Sequence, residues 1–287
     1  MKFKSNPKLS LEKRIVLMMA TMLLFVGCTS HVQLFETKST NSILENGLFV
    51  YETDTIKITY AFWADKGIIS FSIYNKLENP IYIDWKKSAF IDNSNKLNYW
   101  VDEEINTSIS YNANYFYNGP LLKAGYSISE GVGMEVSKKL KAERITFIPP
   151  KSDYFRSDYY LFPYSSYEFD IDTESTEEVR NDNQSKKTII YINNYSRKNS
   201  PLIFRNFLTI SKNENFYDEF HIDNEFYLSS IREMDIRHFE CKIKNGRGNY
   251  NQVYYYENPT SFYLYIPVEE SMKYRKKLGS FFNQNSN

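Results

Sequence analysis

The feature that most restricts this chain is a strict period-two alternation of apolar and polar side chains. In residues 56–62, Ile56, Ile58, Tyr60 and Phe62 fall on one face, and Lys57, Thr59 and Ala61 on the other. A helix would scatter these residues around its axis, whereas a strand lying half buried on a core needs this order. Ile69, Phe71 and Ile73 repeat the pattern against Ser70, Ser72 and Tyr74, and after a polar turn Ile81, Ile83 and Trp85 repeat it again. Three such runs with short polar turns predict an antiparallel meander. Further strands are expected at 90–91, 97–101, 127–136, 144–148, 188–192, 202–210, 220–228, 239–243, 252–256 and 261–266. Aromatic residues make up 17% of the chain, and such side chains suit a pleated, half-buried surface. The expected fold is therefore all-β, an antiparallel sandwich built from many short strands.

Helix is expected at the two ends, with a further turn or two within 231–239 after its strand. Residues 268–278 carry Glu269 and Glu270 early and Lys276 and Lys277 late, which complements the helix dipole, with Gly279 as a stop. Residues 269–287 thus read as a short helix and a frayed tail. Within the β unit, 48–268, the stretch 173–187 holds a single apolar residue, Val179. It reads as a mobile polar loop, and a division into two subdomains at that loop stays open. Residues 28–47 read as a polar tether containing one short strand at 32–36.

The N-terminus carries Lys2, Lys4, Lys8, Lys13 and Arg14 against Glu12, and residues 15–26 are apolar except for Thr21. That run is too short for an ordinary spanning helix, which needs about 20 apolar residues, and it has the layout of a signal peptide. Its end, Leu24-Phe25-Val26-Gly27-Cys28, resembles a lipobox. The resemblance implies removal of the signal peptide 1–27 and lipidation of Cys28, with palmitate-type acyl chains on its thioether-linked glycerol and on its freed amine. At about 0.8 kcal/mol per buried methylene, several chains hold a protein on a membrane without a spanning helix. Five of the 35 basic and one of the 35 acidic residues lie in 1–27, leaving 30 and 34 and a net charge of −4. Such a balance argues against a nucleic-acid partner, which calls for a basic face. With Cys28 lipidated only Cys241 remains, so no intrachain disulfide is expected.

Chemistry-bearing residues are sparse. There are three histidines. His221, Asp223 and Glu225 alternate along one run, as the solvent face of a strand does. Asp170, Asp172 and Glu174 lack the central glycine of a calcium loop and have Asn181 at its twelfth position. No catalytic residue, metal site or cofactor is assigned, and Cys241 reads as a small hydrophobe of a strand. Trp85 shares the inward register of Ile81 and Ile83. Trp63 and Trp100 stand at strand ends, where an indole can stack on a sugar, and are the candidate ligand-binding residues.

Two further resemblances bear on fold and location. Residues 68–85, a strand, a polar turn and a returning strand ending in Trp85, resemble immunoglobulin-like domains. The Asn- and Tyr-rich composition, the lipobox and the segments 79–88 and 201–209 resemble uncharacterised Bacteroidota-type lipoproteins. This similarity implies the outer membrane, and the lack of acids in residues 29–33 favours its periplasmic face over the cell surface. Asp54-Thr55-Ile56 is similar to that group's O-glycosylation motif, which marks Thr55. The expected function is that of a lipid-anchored, non-catalytic binding or structural β-protein of the cell envelope. Its partners would be the membrane and a glycan or an envelope protein. The alternatives are an envelope enzyme acting on glycans and an accessory subunit docking on an outer-membrane protein.

Overall fold

The computed structural model describes residues 30–101, 143–244 and 248–284. The signal segment, Cys28 and the strand expected at 127–136 lie outside these residues. In chain order the strands are β1 (His31–Ser39), β2 (Ile43–Glu45), β3 (Leu48–Glu52), β4 (Ile56–Ala61), β5 (Ile68–Asn75), β6 (Ile81–Asp84), β7 (Ala89–Asp92), β8 (Asn95–Asn98) and β9 (Ile145–Ile148). Then come β10 (Asp153–Tyr160), β11 (Ser175–Val179), β12 (Lys187–Asn194), β13 (Ile203–Ser211), β14 (Phe220–Asp235), β15 (Glu240–Lys244), β16 (Tyr250–Tyr254) and β17 (Ser261–Ile266). A one-turn helix α1 (Ile236–Phe239) follows β14, and α2 (Met272–Gln284) follows β17.

These strands form an all-β sandwich of antiparallel sheets. The smaller sheet runs β10-β5-β4-β3-β2, and its β2–β3 hairpin turns through Asn46 and Gly47, both at positive φ, as a tight hairpin requires. The larger sheet is organised on the 16-residue β14. One edge of β14 pairs first with β13 and then with β12; the other pairs with β1, which in turn pairs with β17. The strands β6 and β7 extend the sheet beyond β13, β9 and β8 beyond those, and β11 beyond β12.

The alternation read from the sequence supplies the main core. Ile56, Ile58, Ile69, Phe71 and Ile73 of the smaller sheet are wholly buried, as are Phe35, Phe204, Leu208 and Phe226 of the larger one. Phe226 is the hub, with ring centroids 4.8 Å from Tyr60, 5.1 Å from Phe62 and 5.3 Å from Phe204. Such pairs add about 0.5–1.5 kcal/mol each beyond their area. A polar chain crosses the same interior: the Tyr60 hydroxyl donates to Asn224 Oδ1 (2.7 Å) and accepts from Asn206 Nδ2 (3.1 Å), and the Tyr99 hydroxyl donates to Asn206 Oδ1 (2.8 Å). Trp85 is buried as its register predicts, and its indole N–H donates to Thr146 Oγ1 (2.7 Å).

Four expectations require correction. First, β4 and β5 pair, but β6 does not continue a meander: it joins β13 and β9 in the larger sheet. Second, the polar tether expected at 28–47 is a sheet strand over much of its described part. Residues 31–39 form β1, enclosed on both faces, with Val32 and Leu34 in a second core beside Met234 and Phe239, and Phe35 in the main one. Third, 173–187 is not a loop throughout, because Ser175–Val179 is an edge strand paired with β12. Its side chains face solvent, so backbone pairing holds it and no apolar residue is needed. Fourth, the C-terminal helix starts at Met272 and runs through Gly279. A Cβ at Gly279 would stand 3.3 Å from Ile171 Cδ1, so the glycine serves a close approach there and not a helix stop.

Candidate functional site

The N-terminal end of β1 is where the fold meets the expected anchor. His31 pairs with Asp235 on one side and Ile266 on the other, and the Ile236 amide donates to the Ser30 carbonyl (3.1 Å). The backbone is thus held from Ser30 onward, leaving only Thr29 between it and Cys28. Two Cα steps span about 7 Å.

The same end carries a cleft of about 270 Å³, lined by His31, Arg180, Lys187, Asp235, Arg237 and Lys273 together with Glu177, Thr188, Ile189 and Tyr191. Arg180, in the β11–β12 turn, donates from Nε to Asp182 Oδ1 (2.7 Å) and from Nη2 to Oδ2 (2.5 Å). Lys187 opens β12 and reaches Glu177 Oε2 (2.7 Å); Arg237 opens α1 and forks onto Asp235 (2.9 and 2.6 Å). The hydrogen bond to Glu177 raises the pKa of Lys187, and the one to Asp235 raises that of Arg237. Lys273, in the first turn of α2, has no acid within ion-pair distance among the described residues. Four cations therefore meet two acids, Glu177 and Asp235, in the lining of a domain that is acidic as a whole.

A buried carboxylate sets the position of Lys273. Glu233, fully enclosed on β14, accepts the Met272 amide at Oε1 (2.5 Å) and Gln33 Nε2 at Oε2 (3.1 Å). It thereby caps α2 and ties it to β1 in one network. Burial raises the Glu233 pKa, against the lowering effect of these hydrogen bonds and of Arg275.

His238 joins α1 to the β11–β12 turn. Its Nδ1 accepts the Asn181 amide (3.2 Å) and its carbonyl accepts Asn181 Nδ2 (2.8 Å). The ring proton therefore resides on Nε2, which faces the Tyr256 hydroxyl at 2.5 Å. Burial lowers the imidazole pKa, and Glu178, 3.6 Å from Nε2, opposes it. The folded pKa lies below the unfolded value of about 6.5. The stabilisation is therefore present above the unfolded value and lost as pH falls through the folded one. Denaturant unfolding is expected to show lower stability at pH 5 than at pH 7, and His238→Gln should flatten that part of the profile. An unchanged slope in the variant would remove His238 as its source.

The ligand-binding residues expected from the sequence are not brought together. Trp63 is 8% exposed, its ring 6.0 Å from Phe239, 5.5 Å from Tyr254 and 5.0 Å from Tyr263. Its faces belong to the second core, which corrects the expectation of an exposed stacking platform. Trp100 is partly buried against the main core, with Lys86 Nζ 5.7 Å from its ring. Thr55 lies in the β3–β4 turn, half-exposed, its amide donating to Thr53 Oγ1. Cys241 is half-exposed on β15, not a core hydrophobe, and its hydrogen bond pushes the Tyr255 hydroxyl up to about 12. Asp223 and Glu225 occupy the outer face of β14, held by Arg205 and Arg197 respectively. Asp170, Asp172 and Glu174 line a separate groove of about 430 Å³.

The cationic cleft was not signalled by sequence spacing, since its residues come from positions 31, 180, 187, 237 and 273. Fold and site together define an all-β sandwich with a cation-rich cleft at the entry of its N-terminal strand. No family model matches the chain, and comparison with curated proteins and with solved structures likewise finds no match.

Proposed function

We propose that this protein is a lipoprotein of the cell envelope, acylated on Cys28, whose sandwich binds or braces other envelope components without catalysis. The observation that carries the proposal is the junction between anchor and fold: a lipobox ends one residue before a backbone already hydrogen-bonded at Ser30. Such a junction holds the whole domain against the bilayer, as a brace or docking module requires, and leaves it no freedom to sample distant substrates.

The engagement of the buried ionisable groups supports a non-catalytic role. Glu233 is occupied by Met272 and Gln33, and His238 by Asn181 and Tyr256, so both join elements and neither presents a spare proton or lone pair to a cleft. The location proposed is the periplasmic face of the outer membrane, with an envelope protein or glycan as the second partner. Incorporation of an alkyne-bearing palmitate analogue into the chain, compared with Cys28→Ser, tests the anchor.

A further inference from the structure

Of the clefts on this molecule, the one beside His31 combines an excess of cations with a fixed distance from the expected anchor. We propose that it seats the phosphate of an anionic phospholipid headgroup, in the leaflet that holds the acyl chains of Cys28. This inference rests on the lipid-anchor reading and adds to it a second, electrostatic contact.

Depth is the first argument. The glycerol on Cys28 lies at the edge of the hydrocarbon layer, and headgroups occupy roughly 5–8 Å beyond that edge on each side. Ser30 is at most about 7 Å along the chain from Cys28, so a cleft opening beside His31 is held within reach of the level of the lipid phosphates.

Chemistry is the second. Lys187 and Lys273 offer mobile ammonium groups, donors that recognise phosphate oxygens, and Arg237, whose fork grips Asp235, adds its charge to the lining. The pairs Lys187–Glu177 and Arg237–Asp235 leave the cations 64% and 45% exposed. The single-point Lys187–Glu177 pair is of the exposed kind that holds its partner weakly, so an arriving phosphate can share Lys187. Among the described residues Lys273 has no acid to give up.

Polarity of the fold is the third. β14 runs from Phe220 to Asp235, a length of about 50 Å at 3.3 Å per residue, so the β13–β14 connection, which begins at Lys212, is far from the cleft. A membrane held at the His31 end therefore leaves Lys212 in solvent.

The test uses the full chain extracted from membranes, in neutral detergent micelles, in phosphatidylcholine vesicles, and in phosphatidylcholine vesicles containing phosphatidylglycerol. Amines are labelled with a water-soluble N-hydroxysuccinimide ester, and rates at Lys187 and Lys273 are read by peptide mass spectrometry relative to Lys212. Both relative rates are expected to fall about fivefold in the phosphatidylglycerol vesicles compared with phosphatidylcholine alone, the size of one lysine's attraction to an anionic surface. Equal rates in the two kinds of vesicle would overturn the proposal. So would the same slowing produced by inorganic phosphate in micelles, which would make the cleft a free-anion site. The N-terminal peptide in the same digest separates the two readings: unmodified Cys28 refutes the anchor, whereas acylated Cys28 with unslowed lysines refutes the cleft alone.

Discussion

Gly67→Ala is expected to destabilise the fold by about 3 kcal/mol, the sum of a left-handed backbone and an overpacked core. Gly67 sits at φ +62, and a Cβ there would stand 2.7 Å from Phe262 Cγ and 3.0 Å from its Cδ2. Phe262 cannot yield, being wholly buried and stacked on Phe35 at 4.7 Å. The backbone cannot yield either. Lys66 donates to the Tyr263 carbonyl (2.7 Å), and the Gly67 and Lys66 carbonyls accept from Leu161 and Phe162 (3.0 and 2.9 Å). The segment is thus wedged between β17 and the chain leaving β10. Gly248→Ala is the control: its φ is +85 but nothing lies within 4 Å of the added Cβ, so it should cost only about 1 kcal/mol. Urea unfolding of the two variants measures the difference. Equal losses would mean that the contact with Phe262 contributes nothing.

Cys28→Ser should abolish acylation outright and leave the chain at precursor length. Lipid transfer to a lipobox forms a thioether, which needs the sulfur nucleophile, and cleavage follows the transfer. On the proposed anchor, acyl chains retain the wild-type protein by methylene burial, at about 0.8 kcal/mol for each, so the processed protein should stay with membranes through a high-salt wash. Palmitate label in the serine variant equal to that in the wild type would place the lipid elsewhere.

Much of the sandwich was legible from period two alone, because Ile56–Ala61 and Ile68–Asn75 each bury one face. Period two identifies a buried face but not the sheet that owns it, which is why Ile81, Ile83 and Trp85 joined the larger sheet unannounced. The short strand expected at 32–36 lies within β1 (His31–Ser39), but the full enclosure of that strand was obscured by its polar residues. Gln33 is wholly buried because its amide donates to Glu233 and to the Tyr167 carbonyl, while its Oε1 accepts the Tyr167 amide. A glutamine satisfied in this way reads as solvent-facing in a sequence. β11 was obscured for the opposite reason: an edge strand with exposed side chains carries no apolar periodicity.

The proposed anchor motif is local, a short run from Leu24 to Cys28. The cleft is not local, since His31, Arg180, Lys187, Arg237 and Lys273 are brought together by tertiary pairings, those of β1 with β14 and β17 and of β12 with β14. The junction matters most for the functional account. A tether of 20 residues would let the domain range up to about 70 Å from a lipid on Cys28, whereas on the proposed anchor a backbone held from Ser30 leaves one intervening residue, Thr29.

Hydrogen exchange of the membrane-extracted protein, read by mass spectrometry on its N-terminal peptide, tests that junction most directly. The account predicts a peptide that begins at Cys28 and carries the mass of its acyl groups. Its amides from Val32 to Phe35 should be among the slowest in the molecule, as expected for a strand paired on both edges. An unmodified Cys28, or complete exchange of those amides within seconds as in a free tether, would contradict it.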